Sequence, residues 1–514
     1  MAKKKTVAKP APKKKQINEQ LYKRIFIYTL IVYFPLLLFF NLMRLWGYGF
    51  SIVDLGIFNQ LSYNFVHGDL FQTSVKYPFH ENSSWLGFHF IVLPIVIAAP
   101  FYYVFPAPET LCVLHVAIVS LSSIIIYKIC ERLNTGKQWS CFWALVYLFN
   151  PLTIYHALFS FQESTISVPL MALCVYFMIA RNFRGLVISC LLLLLTKEQY
   201  GLTVATFGML WALYHRSYKQ GAVLFVAGIA AFLLVIFVII PHFSPFHAHF
   251  MLSEKSGDNT QRYQWLLQSP DLVLSALPEK LFNSNNGKYI LSLLLPFIFL
   301  PLGAIMLLMP LAPDILITLL SDFTPQKKWI YYYSAPLVPV LITAAAITFK
   351  KSKSKKTLAW LIVIVTIIGI TPIFNKLIIR MGLFSNPNME WNYGMQYQKA
   401  ISVVPEDAFL IVDDFTAVPA SGRRRIAGME PDLYEKADYA MIRLSPYRYG
   451  PFLENMNSIV LTITEDMVVS PNWGLVYWQY PFAVFKKGSA GTVDEKEMRE
   501  ILERYKSMAV QERE

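Results

Sequence analysis

Charged side chains are scarce in this chain: Asp, Glu, Lys and Arg make up 15% of its 514 residues, against 55% hydrophobic. Soluble domains average about 25% charged residues. The shortage, with a mean hydropathy of +0.42, excludes an ordinary soluble globular protein and indicates a chain that crosses a membrane several times. Cysteine is as sparse. Its five positions, Cys112, Cys130, Cys141, Cys174 and Cys190, fall in or at the ends of apolar segments, so neither a disulfide framework nor a cysteine zinc site is indicated. No Gly-rich phosphate loop or nucleotide-sugar fingerprint stands out. The apolar run after the Lys-rich start lacks a small-x-small cleavage site, which favours an uncleaved anchor. No internal repeat is evident.

What the chain does have is long uncharged runs. "LIVYFPLLLFFNLM", "VLFVAGIAAFLLVIFVII" and "LAWLIVIVTIIGI" approach the ~20 residues needed to span a bilayer. Spans are expected near 23–46, 111–128, 139–155, 165–180, 184–196, 200–214, 221–241, 290–308, 334–349 and 357–378, with a half-length arm near 311–321, about eleven passes by length. The fold class is an α-helical polytopic membrane protein: a basic tail (1–22), a multi-span domain (23–380) whose first outer loop is 47–110, and a C-terminal α/β exterior domain (381–514). With the tail cytoplasmic, "KICERLNTGK", "RNFR", "HRSYK" and "KKSKSKK" also fall on the cytoplasmic side, as the positive-inside rule requires. Reading "FHFIVLPIVIAAPFYYVFP" as a span would reverse that order, so it is expected to lie in the outer interface. The net charge of +13 comes partly from seven lysines in the first fifteen residues. Anionic lipid head groups, not nucleic acid, are the partner this implies.

After about residue 385 polar residues return. "AFLIVDD", "ADYAMIRL" and "SIVLTI" read as short buried strands, "GLVYWQYPFAVFKKG" as a hairpin, and "TVDEKEMREILERYKSM" as a helix.

On this topology Asp54, His80, Glu81, His89, Glu163, Lys197, Glu198, Lys327, Lys328 and Tyr331–Tyr333 share one membrane face. Ionisable groups near hydrocarbon cost ~2.5–3.5 kcal/mol at mid-bilayer, so they turn to a cavity or to one another. Each also has a plainer reading: Lys197 and Glu198 as a helix end reaching to the interface, Glu163 as a solvated loop acid, His89 as a packing residue between Phe88 and Phe90, and the tyrosines as an aromatic belt. Asp54, in "SIVDLGIFNQ", is the candidate base, because burial among Ile52, Leu55 and Phe58 would raise its pKa. Lys197, with Lys327 and Lys328 behind it, is the candidate cation of that face. Tyr332 and His89 are further substrate-binding candidates. Glu163 and Glu198 would orient Lys197 or share Mg²⁺ or Mn²⁺ with Asp54, since oxygen ligands suit those ions.

The segments "VDLGIFNQLSYNFVHG", "GFHFIVLPIVIAAPFYYVFP", "FNPLTIYHALFSFQES", "LLLLTKEQYGL", "YYYSAPLVPVL" and "VPEDAFLIVDD" together resemble an uncharacterised family of bacterial and archaeal membrane proteins. That family looks like a branch of the GT-C glycosyltransferases, which move a sugar from a polyprenyl-phosphate carrier to a glycan, lipid or protein acceptor on the outer face of the cell membrane. The resemblance implies an essential acid in the first outer loop, the position Asp54 occupies; on that reading Asp54 is the base for an acceptor hydroxyl, Lys197 is the phosphate contact with Lys327 and Lys328 behind it, and Glu163 and Glu198 would hold sugar hydroxyls. Relatives often carry further acids where this chain has Phe88 and Gln199. The alternatives are a transporter or lipid flippase, whose charges would line a path through the membrane, and a non-catalytic envelope-assembly protein.

Overall fold

The computed structural model describes residues 13–75, 83–249, 262–374, 394–414, 416–444 and 461–511. Helix α1 (Lys13–Trp46) leads into a first loop that contains α2 (Ile57–Val66), a short antiparallel pair of β1 (Gln72–Thr73) and β2 (Ser83–Ser84), and α3 (Leu93–Val104). The bundle continues through α4 (Pro108–Arg132), α5 (Lys137–Phe149), α6 (Pro151–Ala157), α7 (Glu163–Ile179), α8 (Phe183–Leu194), α9 (Tyr200–His215) and α10 (Tyr218–Leu234).

Among the described residues six stretches are long and apolar enough to cross a membrane: Glu19–Trp46, Pro108–Arg132, Tyr218–Phe243, Leu300–Leu320, Thr324–Lys351 and Lys355–Ile373. Four more of the expected segments fall on shorter helices. Helices α5, α7, α8 and α9 have 13, 17, 12 and 16 residues, and at ~1.5 Å per residue none reaches the ~30 Å of a hydrocarbon core. Helix α3 has 12 residues, as many as α8.

The bundle has two chemically different ends. Helix α7 runs from Glu163 at one to Ile179 at the other. Beyond Ile179 the basic turns meet: Lys350 Nζ donates to the Leu133 carbonyl (2.7 Å), Arg132 to Ala180 (3.5 Å) and Arg181 Nε to His215 (3.1 Å). Close helix packing in between depends on glycine. A Cβ on Gly208 of α9 would lie 2.5 Å from the Phe225 nitrogen of α10, and one on Gly228 of α10 2.5 Å from the Ala205 nitrogen of α9. Small residues thus let these two backbones touch.

The C-terminal part is a five-stranded mixed sheet of order β4-β3-β5-β7-β6, with β3 (Leu410–Val412), β4 (Ile426–Gly428), β5 (Tyr439–Arg443), β6 (Trp473–Gln479) and β7 (Phe482–Lys487). Strand β3 pairs in parallel with β4 and β5, while β6 and β7 form the expected antiparallel hairpin. The helix Lys496–Gln511 follows as the sequence indicated. "SIVLTI" is the exception: its described part, 461–463, is helical. Ile463, Thr464 and Met467 are buried while Thr462 and Asp466 are exposed, and two adjacent buried residues with a third at i+3 and i+4 form a helical face, not the alternation of a strand.

The sheet packs directly on the first loop. Phe50, Leu55 and Leu61 share a core with Leu410, Val412 and Phe482. Asn59 Nδ2 donates to Ser421 Oγ (2.9 Å), and Gln60 Nε2 to the Arg424 carbonyl (3.0 Å). Ser51 Oγ and the Ile52 N–H both donate to Asp414 Oδ1, at 2.8 and 3.0 Å.

Candidate functional site

The end of the bundle opposite the basic turns is built around the turn between α6 and α7. Helix α1 holds it in place: Asn41 Nδ2 donates to the carbonyls of Ala157 (3.0 Å) and Phe159 (2.8 Å), and an Arg44 guanidinium N–H to that of Leu158 (2.9 Å). Gln162 caps α7, its N–H donating to Thr165 Oγ1 (3.1 Å). Its side chain points back across the turn and donates from Nε2 to Asp54 Oδ1 at 3.0 Å.

Asp54 sits in the π-helical turn Ile52–Gly56, whose start is capped by Ser51. The turn places the half-buried carboxylate where the Arg44 charge reaches it. Tyr332 lies within electrostatic reach of both Asp54 and Glu163. The first loop, the α7 start and the tyrosine segment therefore meet at one place.

The turn between α8 and α9 supplies the other charges. The Val92 and Leu93 N–H groups of the first loop donate to the Leu195 carbonyl (3.0 and 2.8 Å). That clamp delivers Lys197 and Glu198 to two different partners. Lys197 Nζ pairs with Glu163 Oε1 at 2.5 Å, and both residues are buried. Burial works against the Lys197 charge, but Glu163 and Glu198 more than offset it and hold its pKa above the ordinary value. Glu198 Oε1 lies 2.7 Å from His89 Nδ1 and 3.7 Å from His249 Nε2, while the Phe90 N–H donates to Glu198 Oε2 at 3.1 Å. Burial would push the Glu198 carboxyl up, yet His89, His249 and Lys197 together keep it well below the usual carboxylate range. Burial pushes the His89 imidazole down despite Glu198.

These groups border a cavity of about 230 Å³ lined by, among others, Glu163, Lys197, Glu198, His249, Arg262 and Tyr332. Of the residues expected from sequence, Glu163, Lys197, Glu198 and Tyr332 line it, His89 stands behind Glu198, and Asp54 lies beyond Gln162. Lys327 and Lys328 are not brought in. Lys327 Nζ donates to the Leu319 carbonyl (3.1 Å) near the end of the helix Ala312–Leu320, where unsatisfied carbonyls attract a donor, and Lys328 is exposed. His80 and Glu81 lie outside the described residues. Of the expected metal pair, Glu163 accepts from Lys197 and Asp54 from Gln162.

Sequence reasoning missed several residues. Arg262 lines the cavity with its Nε buried and, among the described residues, without a hydrogen-bond partner. Asp314 accepts from Gln199 and from Thr203 Oγ1 (3.1 Å). An acid thus stands against Gln199 after all, contributed from 115 residues away. The buried acid in "PLAPDI" was the signal available for it. His249, by contrast, sits in an ordinary polar loop and left none.

The arrangement is that of a multi-pass helical membrane protein with the GT-C glycosyltransferase fold. The chain belongs to the family described as "Predicted membrane protein (DUF2079)", which matches residues 45–414. Among solved structures it is similar to ArnT from Cupriavidus metallidurans bound to undecaprenyl phosphate, at TM-score 0.52 and 13% identity, over 92% of this chain and 99% of that one. The apo state of the same ArnT gives 0.51 and 12% identity, with the same coverages. The arabinofuranosyltransferase AftD from Mycobacteria gives 0.49 and 10%, over 90% of this chain and 40% of that one. No curated protein matches.

Proposed function

We propose that this protein is a membrane glycosyltransferase that moves a sugar from a polyprenyl-phosphate donor to an acceptor on the extracytoplasmic side of the cell membrane. The observation that carries the reading is the cavity at the loop end, where two cations, Lys197 and Arg262, stand beside Glu163 and Tyr332, with a half-buried carboxylate, Asp54, one hydrogen bond away through Gln162. ArnT, a protein of this fold, binds undecaprenyl phosphate.

In this scheme Lys197 and Arg262 hold the phosphate of the carrier lipid, whose chain lies along the apolar flank of the bundle. Asp54 accepts the proton of an acceptor hydroxyl. The oxygen then attacks the anomeric carbon, the bond from that carbon to the phosphate oxygen breaks, and its electron pair leaves with the phosphate. Lys197 and Arg262 stabilise the charge that develops there. Glu163 positions Lys197 through the buried ion pair, and Glu163 and Glu198 have the chemistry to hold sugar hydroxyls. The acceptor, a glycan, lipid or protein, enters from the side covered by the sheet. A transporter would need charged groups along a path between both ends. Among the described residues the buried ion pair and the acids around it gather at one.

Purified protein incubated with radiolabelled polyprenyl-phosphate sugars and crude envelope acceptors tests the reading. Label transfer is expected from the wild type, with a loss of ~10²–10⁴-fold in Asp54→Asn, the scale of general-base catalysis. Equal transfer by both proteins removes Asp54 from this role, and absence of transfer across all donors speaks for the transport or assembly alternatives.

A further inference from the structure

We infer that His89, Glu198 and His249 form a binding site for a transition-metal ion, zinc by its ligand chemistry. The three come from separate parts of the chain, the first loop, the turn between α8 and α9, and the loop after the helix Ile240–Phe243, yet one ligand atom from each lies within 4.8 Å of the others. Tetrahedral zinc with bonds of ~2.0–2.1 Å sets its ligand atoms roughly 3.3 Å apart. The present spacings bracket that value, with Glu198 Oε1 at 2.7 Å from His89 Nδ1 and 3.7 Å from His249 Nε2. Two of the three ligand spacings thus lie close to those of tetrahedral zinc.

The surroundings are those of a held site. His249 and Glu198 are 7% exposed. The second oxygen of Glu198 is fixed by the Phe90 N–H, the kind of outer contact that orients a carboxylate ligand. Phe88 packs edge-on against the His89 ring at 4.8 Å between centroids. Two imidazole nitrogens and one carboxylate oxygen favour zinc over the hard, oxygen-preferring Mg²⁺ and Mn²⁺. Three protein ligands leave a fourth position open, the pattern of catalytic and not structural zinc. Glu198 and His249 both line the cavity that holds Lys197 and Arg262, so the open position faces that cavity and has the chemistry to take a phosphate oxygen. This last role rests on the glycosyltransferase reading; the binding of metal does not.

The full-length protein, purified in detergent, is stripped with a chelator, reloaded with Zn²⁺, passed over a desalting column and measured by elemental analysis, and Co²⁺ is loaded in parallel as a spectroscopic probe of geometry. The wild type is expected to retain one equivalent per chain and to give the intense visible bands of tetrahedral Co²⁺. His249→Ala and Glu198→Gln are expected to lose at least about tenfold in affinity, while Lys328→Ala retains the wild-type amount. Thermal unfolding separates misfolding from ligand loss: Zn²⁺ raises the wild-type Tm and leaves that of a folded His249→Ala protein unchanged. Retention no greater in the wild type than in His249→Ala, or a Tm indifferent to Zn²⁺, overturns the site. A protein that holds zinc but transfers no sugar refutes the glycosyltransferase reading alone, and one that transfers sugar but retains no zinc refutes the metal site alone.

Discussion

The buried pair of Glu163 and Lys197 offers the sharpest test of how this end of the bundle is held together. Their relative exposures are 5% and 8%, and Nζ lies 2.5 Å from Oε1. Removing one partner of such a pair strands the other charge in a low-dielectric site at a cost of ~3–5 kcal/mol, whereas replacing both with neutral groups of similar shape is close to neutral. Lys197→Met should therefore reduce the folded-to-unfolded ratio on the order of a hundred- to several-thousand-fold, at about 1.4 kcal/mol per factor of ten. Glu163→Gln together with Lys197→Met should recover most of that loss. The assay is a reversible denaturant titration in detergent micelles, followed by tryptophan fluorescence, on wild type, both single variants and the double. A double variant no more stable than Lys197→Met would refute the reasoning, because it would mean that Glu163 is not left uncompensated when the lysine goes.

Two further predictions follow from other parts of the fold. Burial raises the Asp414 carboxyl to about 7, against the hydrogen bonds from Ser51 and Ile52 that lower it. Between the unfolded value of ~3.9 and that folded value the native state binds more protons than the unfolded one. The Asp414 contribution is thus complete at low pH and is lost as pH rises through about 7, so Asp414→Asn should flatten the fall in Tm between roughly pH 4 and 8. An unchanged pH profile would contradict it. In the membrane domain, Gly208→Val places atoms against the α10 backbone, and overpacking of this kind costs ~1–3 kcal/mol or more; a variant as stable as wild type in the same titration would show that α9 and α10 do not pack so closely.

How far the sequence reveals this architecture depends on whether a feature is local. Apolar runs, basic turns and the β6–β7 hairpin are local, and each lies where pattern and composition indicate. The gathering of Asp54, Glu163, Lys197 and Glu198 was also legible, because an ionisable group among apolar neighbours needs a partner and alternation of spans brings the loops to a common end. Which partner each finds was not. Glu198 could be paired with His89 only through the clamp from the first loop to Leu195, and with His249 only through a loop that has no distinguishing pattern. Gln162 is a neutral residue in a turn, yet it makes the direct contact to Asp54. Lys327 and Lys328 carry the right charge in the right loop, but one is drawn to a helix-end carbonyl and the other to solvent. The segments of α5, α7, α8 and α9 were legible too, because hydropathy marks an apolar helix whether it is buried in protein or in lipid.

The account's central claim is that the loop-end cavity receives the phosphate of a polyprenyl carrier. A structure of this protein determined with bound undecaprenyl phosphate tests that most directly: the account predicts the phosphate within hydrogen-bond reach of Lys197 and Arg262, with the Asp54 carboxylate on the far side of Gln162. Density for the phosphate at the basic end, beside Lys137 and Lys350, would contradict it.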